Sequence, residues 1–134
     1  MKMFFKRRDG GPVSNVTGYW LIEWKRAFSI ALLRFDPGSR DAYHSHAFNA
    51  WSWLLCGKLA EHRVDVIHDS IYYHPVRWIT PSLRPEVTTR DNMHRVISIG
   101  TTWAITFRGP WCNRWRELRK QMLVTLTHGR KEVA

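Results

Sequence analysis

A chain of 134 residues, 44% of them apolar, has enough material for one domain around one core. No run reaches the ~18 apolar residues of a membrane-spanning helix, and two cysteines, Cys56 and Cys112, form no disulfide framework and fit no zinc-ligand spacing. The net charge of +10 sits at the ends: residues 1–8 carry four Lys or Arg and no acid, and residues 112–134 carry six against Glu117 and Glu132.

Residues 1–8 lack the long apolar stretch that follows the charges of a secretory signal, so the expected location is the cytoplasm. Residues 9–17 are rich in turn formers and read as a loop. Residues 18–24, aromatic and branched, read as a strand. So do residues 27–35, with Phe28, Ile30, Leu32 and Arg34 on one side and Phe35 on the other. A turn over 36–39 leads into a segment holding His44 and His46. Residues 50–56 are a further strand, and Gly57-Lys58 suits a tight turn after it. Counting by two from His46 puts Phe48, Ala50, Ser52 and Leu54 on one face. Trp51, Trp53 and Leu55 then face the other sheet or the outside. Residues 59–67 alternate as a strand, with Leu59, Glu61 and Arg63 sharing a face. Residues 71–79 are strand-like, and Pro75 marks an edge or a bend. Residues 80–91 are irregular. Residues 94–99 and 101–107 predict a closing hairpin.

Trp115, Leu118, Met122 and Leu126 recur at helical spacing, with Arg116, Arg119 and Lys120 opposite. This predicts one α-helix over residues 115–127, stopped by Gly129 and with His128 at its C-terminal end. The chain thus divides into a basic arm and loop (1–17), a β-barrel (18–111), and a basic C-terminal helix and tail (112–134). Eight or nine short strands separated by turns point to an all-β barrel or double-sheet jelly roll.

Two histidines at i and i+2 on a strand aim both rings at one point, and neutral imidazole is the commonest metal ligand. The spacing by itself also fits two polar surface residues. His94, just before an apolar strand, is the candidate third ligand. His62, His68 and His74 stand in surface-like contexts.

A glycine (Gly38), five residues, His44-Ser-His46, then Gly57 and a lone downstream His94 resemble the two-part motif of the cupin superfamily. Ala50 stands where that motif usually carries a glutamate ligand. More narrowly, the run from His44 through Ser52, Gly57, Glu61 and His62 to His94-Arg95 is similar to small cupin-like proteins of phages and prophages. The resemblance implies a double-stranded β-helix, the jelly-roll barrel, with a divalent metal ion (Fe(II), Zn, Mn or Ni) held by His44, His46 and His94. Glu61 and Ser52 are then the acid/base candidates. A three-histidine cupin site resembles that of thiol dioxygenases, so an oxygenase-like or isomerase-like reaction on a small polar or anionic substrate is the expectation. The alternative is a non-enzymatic phage-type binding module whose basic ends contact nucleic acid or a host protein. Homodimers through barrel edges are common in cupins.

Overall fold

The computed structural model describes residues 1–39, 42–119, 122–127 and 131–133. In chain order the strands are β1 (Lys2–Arg8), β2 (Val16–Trp24), β3 (Phe28–Phe35), β4 (Tyr43–His44), β5 (Ala50–Cys56), β6 (Leu59–Ile67), β7 (Ser70–Tyr73), β8 (Arg77–Ile79), β9 (Glu86–Thr88), β10 (Met93–Ser98), β11 (Thr102–Arg108), β12 (Trp115–Arg119), β13 (Met122–Thr127) and β14 (Lys131–Glu132). They form two antiparallel sheets. The first runs β1-β2-β3-β11-β5-β9, and the second runs β14-β13-β12-β4-β10-β6-β7, with β8 also paired to β6. The basic N-terminal segment, expected as an arm, is the edge strand β1, paired along β2.

The predicted strands over 50–56 and 59–67 form with those bounds. Gly57 makes the turn between them at φ 93°. A Cβ there would sit 2.6 Å from the Thr102 Cα, so the close approach of the turn to β11 requires glycine. The predicted strand over 71–79 divides at His74-Pro75-Val76 into β7 and β8, which share one edge of β6. Proline cannot donate to the ladder, and this is where pairing lapses.

Two expectations are corrected. Residues 94–99 and 101–107 do become β10 and β11, but not a hairpin. β10 pairs with β4 and β6 in the second sheet, and β11 pairs with β3 and β5 in the first. The intervening bend carries the chain from one sheet to the other, as Gly57 does before it.

The C-terminal α-helix is overturned outright: no helix occurs among the described residues. Residues 115–127 instead hold the antiparallel pair β12–β13, Trp115 opposite Leu126 and Arg119 opposite Met122. The helical spacing misleads because Trp115 and Leu118 are both buried but in different clusters. Trp115 packs with Leu126, Ala47 and Phe48, and Leu118 with Val64 and Met93. Glu117, assigned to no apolar stripe, is buried as well. The run Met-Leu-Val-Thr-Leu-Thr favours a strand, and β4 accepts β12 as its ladder partner. The expected stop at Gly129, and Lys120 and His128, lie outside the described residues.

The core is divided into four apolar clusters. A cavity of about 220 Å³ separates the sheets, and the candidate site opens on it.

The strand and helix readings of residues 115–127 predict different mutational costs. Leu126 is fully buried and Met122 is 70% exposed. Leu126→Ala should destabilise by ~2–5 kcal/mol, whereas Met122→Ala should stay within about 0.5 kcal/mol. Urea denaturation of both variants checks this; equal losses would restore one shared buried face.

Candidate metal centre

His44, His46 and His94 come together. One ligating nitrogen from each lies within 4.8 Å of the others, and among the described residues this is the one such group. The ring centroids are 4.9 Å apart for His44–His46, 5.2 Å for His44–His94 and 4.9 Å for His46–His94.

Local backbone pairing sets this convergence. His94 on β10 lies directly opposite His44 on β4, and facing residues of an antiparallel pair share a side. β4 is only two residues long, yet the ladder continues past it. Ser45 N–H donates to the Arg116 carbonyl at 2.8 Å, and Arg116 N–H donates to Ser45 Oγ at 2.8 Å. His46 follows on the same side as His44. Gly38, with φ 104°, exchanges two backbone hydrogen bonds with Ser98 at the end of β10 and so ties the start of the motif to the strand that carries His94.

Outer hydrogen bonds settle which nitrogen each ring turns to the centre. His94 Nδ1 donates to Glu61 Oε2 at 2.7 Å, and His44 Nδ1 donates to the Ala42 carbonyl at 3.2 Å. Both rings therefore carry the proton on Nδ1 and direct Nε2 inward, the arrangement that orients metal-ligating histidines. The donor set fits a divalent ion: three imidazoles, two with their tautomer fixed from behind.

Glu61 is 4% exposed and its carboxylate is enclosed by donors. Arg77 reaches Oε1 through Nε at 3.2 Å and Nη2 at 3.0 Å, and Arg63 Nη2 reaches it at 3.3 Å. Burial pushes the carboxyl up. The hydrogen bond and electrostatic attraction of the His94 N–H, then Arg63 and Arg77, outweigh burial and hold it at about 2, so it is a carboxylate at neutral pH. Arg77 also donates to Glu86 Oε2 at 2.8 Å. Arg77 and Glu86 belong to the site and were not picked out from the sequence.

The parity count from His46 holds. Phe48, Ala50, Ser52 and Leu54 all line the cavity with the histidines, although residues 45–49 are outside any strand. Ser52 Oγ donates to Thr106 Oγ1 at 2.9 Å on the cavity wall. Ala50, where a glutamate ligand was absent from the motif, is part of that wall. Arg95 turns away from the centre and lies over the Tyr43 ring at 5.1 Å. His74 pairs with Asp65 at 2.7 Å, away from the triad. Cys56 is exposed and Cys112 half-buried, both as free thiols.

Apolar side chains from both sheets (Leu33, Phe35, Leu54, Leu59, Ile79 and Val96) make up most of the cavity wall. Phe48, 5.4 Å from the His46 ring, continues into Trp111 and Trp115. Arg108 also lines the cavity. Its guanidinium is 4.4 Å from the Phe48 centroid and 5.0 Å from Trp20, and it donates to both Asp9 oxygens at 3.1 and 2.6 Å. The Arg108 side chain is 5% exposed. Asp9→Ala should therefore cost on the order of 3 kcal/mol by leaving that charge poorly compensated. Asp36→Ala, whose arginine partners are half-exposed, should cost within ~1 kcal/mol. Equilibrium denaturation of the two variants makes the comparison.

No known family model matches the chain, and no curated protein does. Solved structures match in fold. An RmlC-like cupin from Shewanella frigidimarina NCIMB 400 aligns over 77% of this chain and 81% of its own, at 15% identity and a TM-score of 0.54. A sugar phosphate isomerase from a cupin superfamily, from Silicibacter pomeroyi DSS-3, aligns over 100% and 97%, at 10% identity and 0.54. The polyketide cyclase RemF from Streptomyces resistomycificus aligns over 79% and 73%, at 15% identity and 0.59. At these identities the likeness speaks for the fold: an all-β, cupin-like jelly roll in which three histidines cluster at an internal cavity.

Proposed function

We propose that the protein is a metal-dependent enzyme acting on a small polar or anionic molecule, with His44, His46 and His94 binding one divalent ion. The observation that carries this reading is the convergence of three imidazoles, two of them with their tautomers set by Glu61 and the Ala42 carbonyl. Three neutral protein ligands leave coordination positions for water or substrate, unlike the closed set of a structural site. They also leave the ion's charge uncompensated, which favours an anionic or strongly polar group beside it. Fe(II), Zn, Mn and Ni all suit such donors. When bound, the ion supplies Lewis-acid chemistry, or oxygen chemistry in the case of iron.

The chain's own residues have separate tasks. Glu61 is a positioning residue: its carboxylate holds the His94 proton on Nδ1 and fixes the ring. Arg63 and Arg77 keep that carboxylate charged. The wall around Leu54, Leu59 and Val96 is apolar, and a polar contact made against such a wall is stronger than in bulk water. Ser52 and Thr106 are among the hydroxyl groups of the wall. Two structural neighbours carry enzyme names, an isomerase and a cyclase, which agrees with an enzymatic reading and leaves the substrate open. Kinship with phage proteins has no counterpart among the neighbours named here.

Metal per chain, measured by mass spectrometry on untagged protein reconstituted with Fe(II), Zn, Mn and Ni in turn, is the direct test. Near-stoichiometric metal is expected in the parent, with loss in a His44→Ala/His94→Ala variant that keeps the parent's circular dichroism. No metal in the parent after reconstitution would end the enzyme reading and favour the binding module acting through its basic ends. Glu61→Gln should retain the three ligands and weaken metal binding roughly 10–100-fold in a chelator competition. An unchanged affinity would show that His94 does not depend on its carboxylate.

A further inference from the structure

The outer face of the first sheet brings exposed aromatic rings and positive charge together. Facing residues of an antiparallel pair share a side, so the registers sort its strands into an inner and an outer set. Leu33, Ser52, Leu54, Ala104 and Thr106 are inner and line the cavity. The outer set lies in rows. One runs Ile30–Phe107–Trp51–Val87, the next Lys6–Tyr19–Leu32–Ile105–Trp53, and the third Arg8–Thr17–Arg34–Trp103. Trp24 and Phe28 pair beyond the first row. Trp51 is 58% exposed, Phe28 43%, and Trp24 and Phe107 42%. Trp53 stands edge-on to Phe107 at 5.6 Å, and its indole N–H is already taken by the Leu83 carbonyl at 3.1 Å. Tyr19 and Trp103 stack on each other at 5.9 Å.

Cations are interleaved with these rings and stand at their rim. Lys6 lies over the Tyr19 ring at 5.6 Å, and the Arg34 guanidinium is 6.0 Å from both the Tyr19 and the Trp103 rings. Arg8 shares the row of Arg34. Arg26 is exposed in the turn between Trp24 and Phe28, and Arg84 is exposed beside Leu83, the residue bonded to Trp53. Against these five, one carboxylate is recorded: Asp36 pairs with Arg34 at 3.3 Å and with Arg8 at 3.9 Å. The acids on the sheet's own strands are inner ones. Glu23 is buried and paired with Arg7, and Glu86 lines the cavity and pairs with Arg77.

We propose that this face binds single-stranded nucleic acid, with bases stacked on the exposed rings and phosphates met by Lys6, Arg8, Arg26, Arg34 and Arg84. Charge complementarity selects the occupant. The cations are spread along the face rather than gathered at one point, which suits a polymer with a charge on every unit, and the chain as a whole carries +10. The rings between them offer π-faces and few hydrogen-bonding groups, and every base has a π-face to lay on them. A duplex keeps its bases stacked inside and would meet the cations alone. The histidines lie on the other side of this sheet, so the proposal does not rest on the metal reading. It also differs from a contact through both basic ends, because β12, β13 and β14 belong to the second sheet.

Fluorescence anisotropy of labelled oligo(dT) and oligo(U), each about 12 nucleotides long, tests the proposal on the whole chain. The parent is expected to bind single strands with an affinity that falls steeply between about 50 and 200 mM salt. A duplex of the same length should bind at least about tenfold more weakly. Trp51→Ala and Phe107→Ala should each weaken single-strand binding by roughly 5- to 100-fold. Trp51 is already well exposed, so its variant should keep the parent's circular dichroism. Lys6→Gln/Arg84→Gln should lower the slope of log affinity against log salt by about 0.7 for each cation removed. His44→Ala/His94→Ala should bind as the parent does, which separates this face from the metal centre. A parent that binds neither oligonucleotide at the lower salt overturns the proposal. Binding unchanged in both aromatic variants overturns it too and would pass the contact to residues 112–134. So does a duplex bound as tightly as the single strands, which reads charge alone. Retention of a neutral oligosaccharide with no oligonucleotide bound also overturns it, making the rings a platform for sugars.

Discussion

The buried carboxylate of Glu61 is the constraint on which the site depends. A carboxylate at 4% exposure is tolerable only when it is paired and hydrogen-bonded throughout. Its donors come from three strands: Arg63 on its own β6, Arg77 on β8 and His94 on β10. Arg77 then passes to Glu86 on β9, which belongs to the other sheet. One charge thus aligns the histidine, holds β8 against β6, and links the two layers at the cavity. Removing any donor would leave a charge behind in an apolar wall, so orientation of the ring and closure of the fold are one problem.

Much of this was legible along the chain because β-parity is local. Once His44 and His46 were taken to share a side, counting by two placed Phe48, Ala50, Ser52 and Leu54 in the cavity, and Leu59, Glu61 and Arg63 on one face of β6. Gly57 was legible too, because only a glycine fits a left-handed turn pressed on Thr102. What escaped was long-range. Nothing in residues 77 and 86 announces that they meet Glu61, because the pairing of β8 with β6 and of β9 with β5 decides it. The hairpin failed for the same reason: β10 and β11 are neighbours in sequence, and their partners lie in different sheets. At residues 115–127 a strand, β12, that buries residues on both of its sides mimicked the spacing of a helix. Trp115 and Leu118 face different clusters, so burial at i and i+3 carried no information about period.

The site answers the missing glutamate of the motif in its own way. Ala50 occupies that position as a buried wall residue, and the carboxylate of the site approaches from β6, behind His94 rather than beside it. Glu61 contributes its charge through an imidazole. That keeps all three inward donors neutral while raising the basicity of one of them.

The cavity and the apolar outer face follow from one pattern in the sequence. In β3, β5 and β11 many inward positions hold small or polar residues (Ser29, Ala31, Ala50, Ser52, Ala104 and Thr106), beside larger ones at Leu33, Phe35 and Leu54. With the small residues inward, the layers cannot fill the space between them, and the core divides into four clusters around a cavity. The same pattern sends most of the tryptophans, isoleucines and phenylalanines of those strands outward, while Phe35 lines the cavity. Filling the interior with them would close the space the histidines face. A slip of one residue would exchange the two faces, and the charge pair of Arg108 on β11 with Asp9 opposes it. The cavity is therefore made at the expense of apolar burial in this sheet.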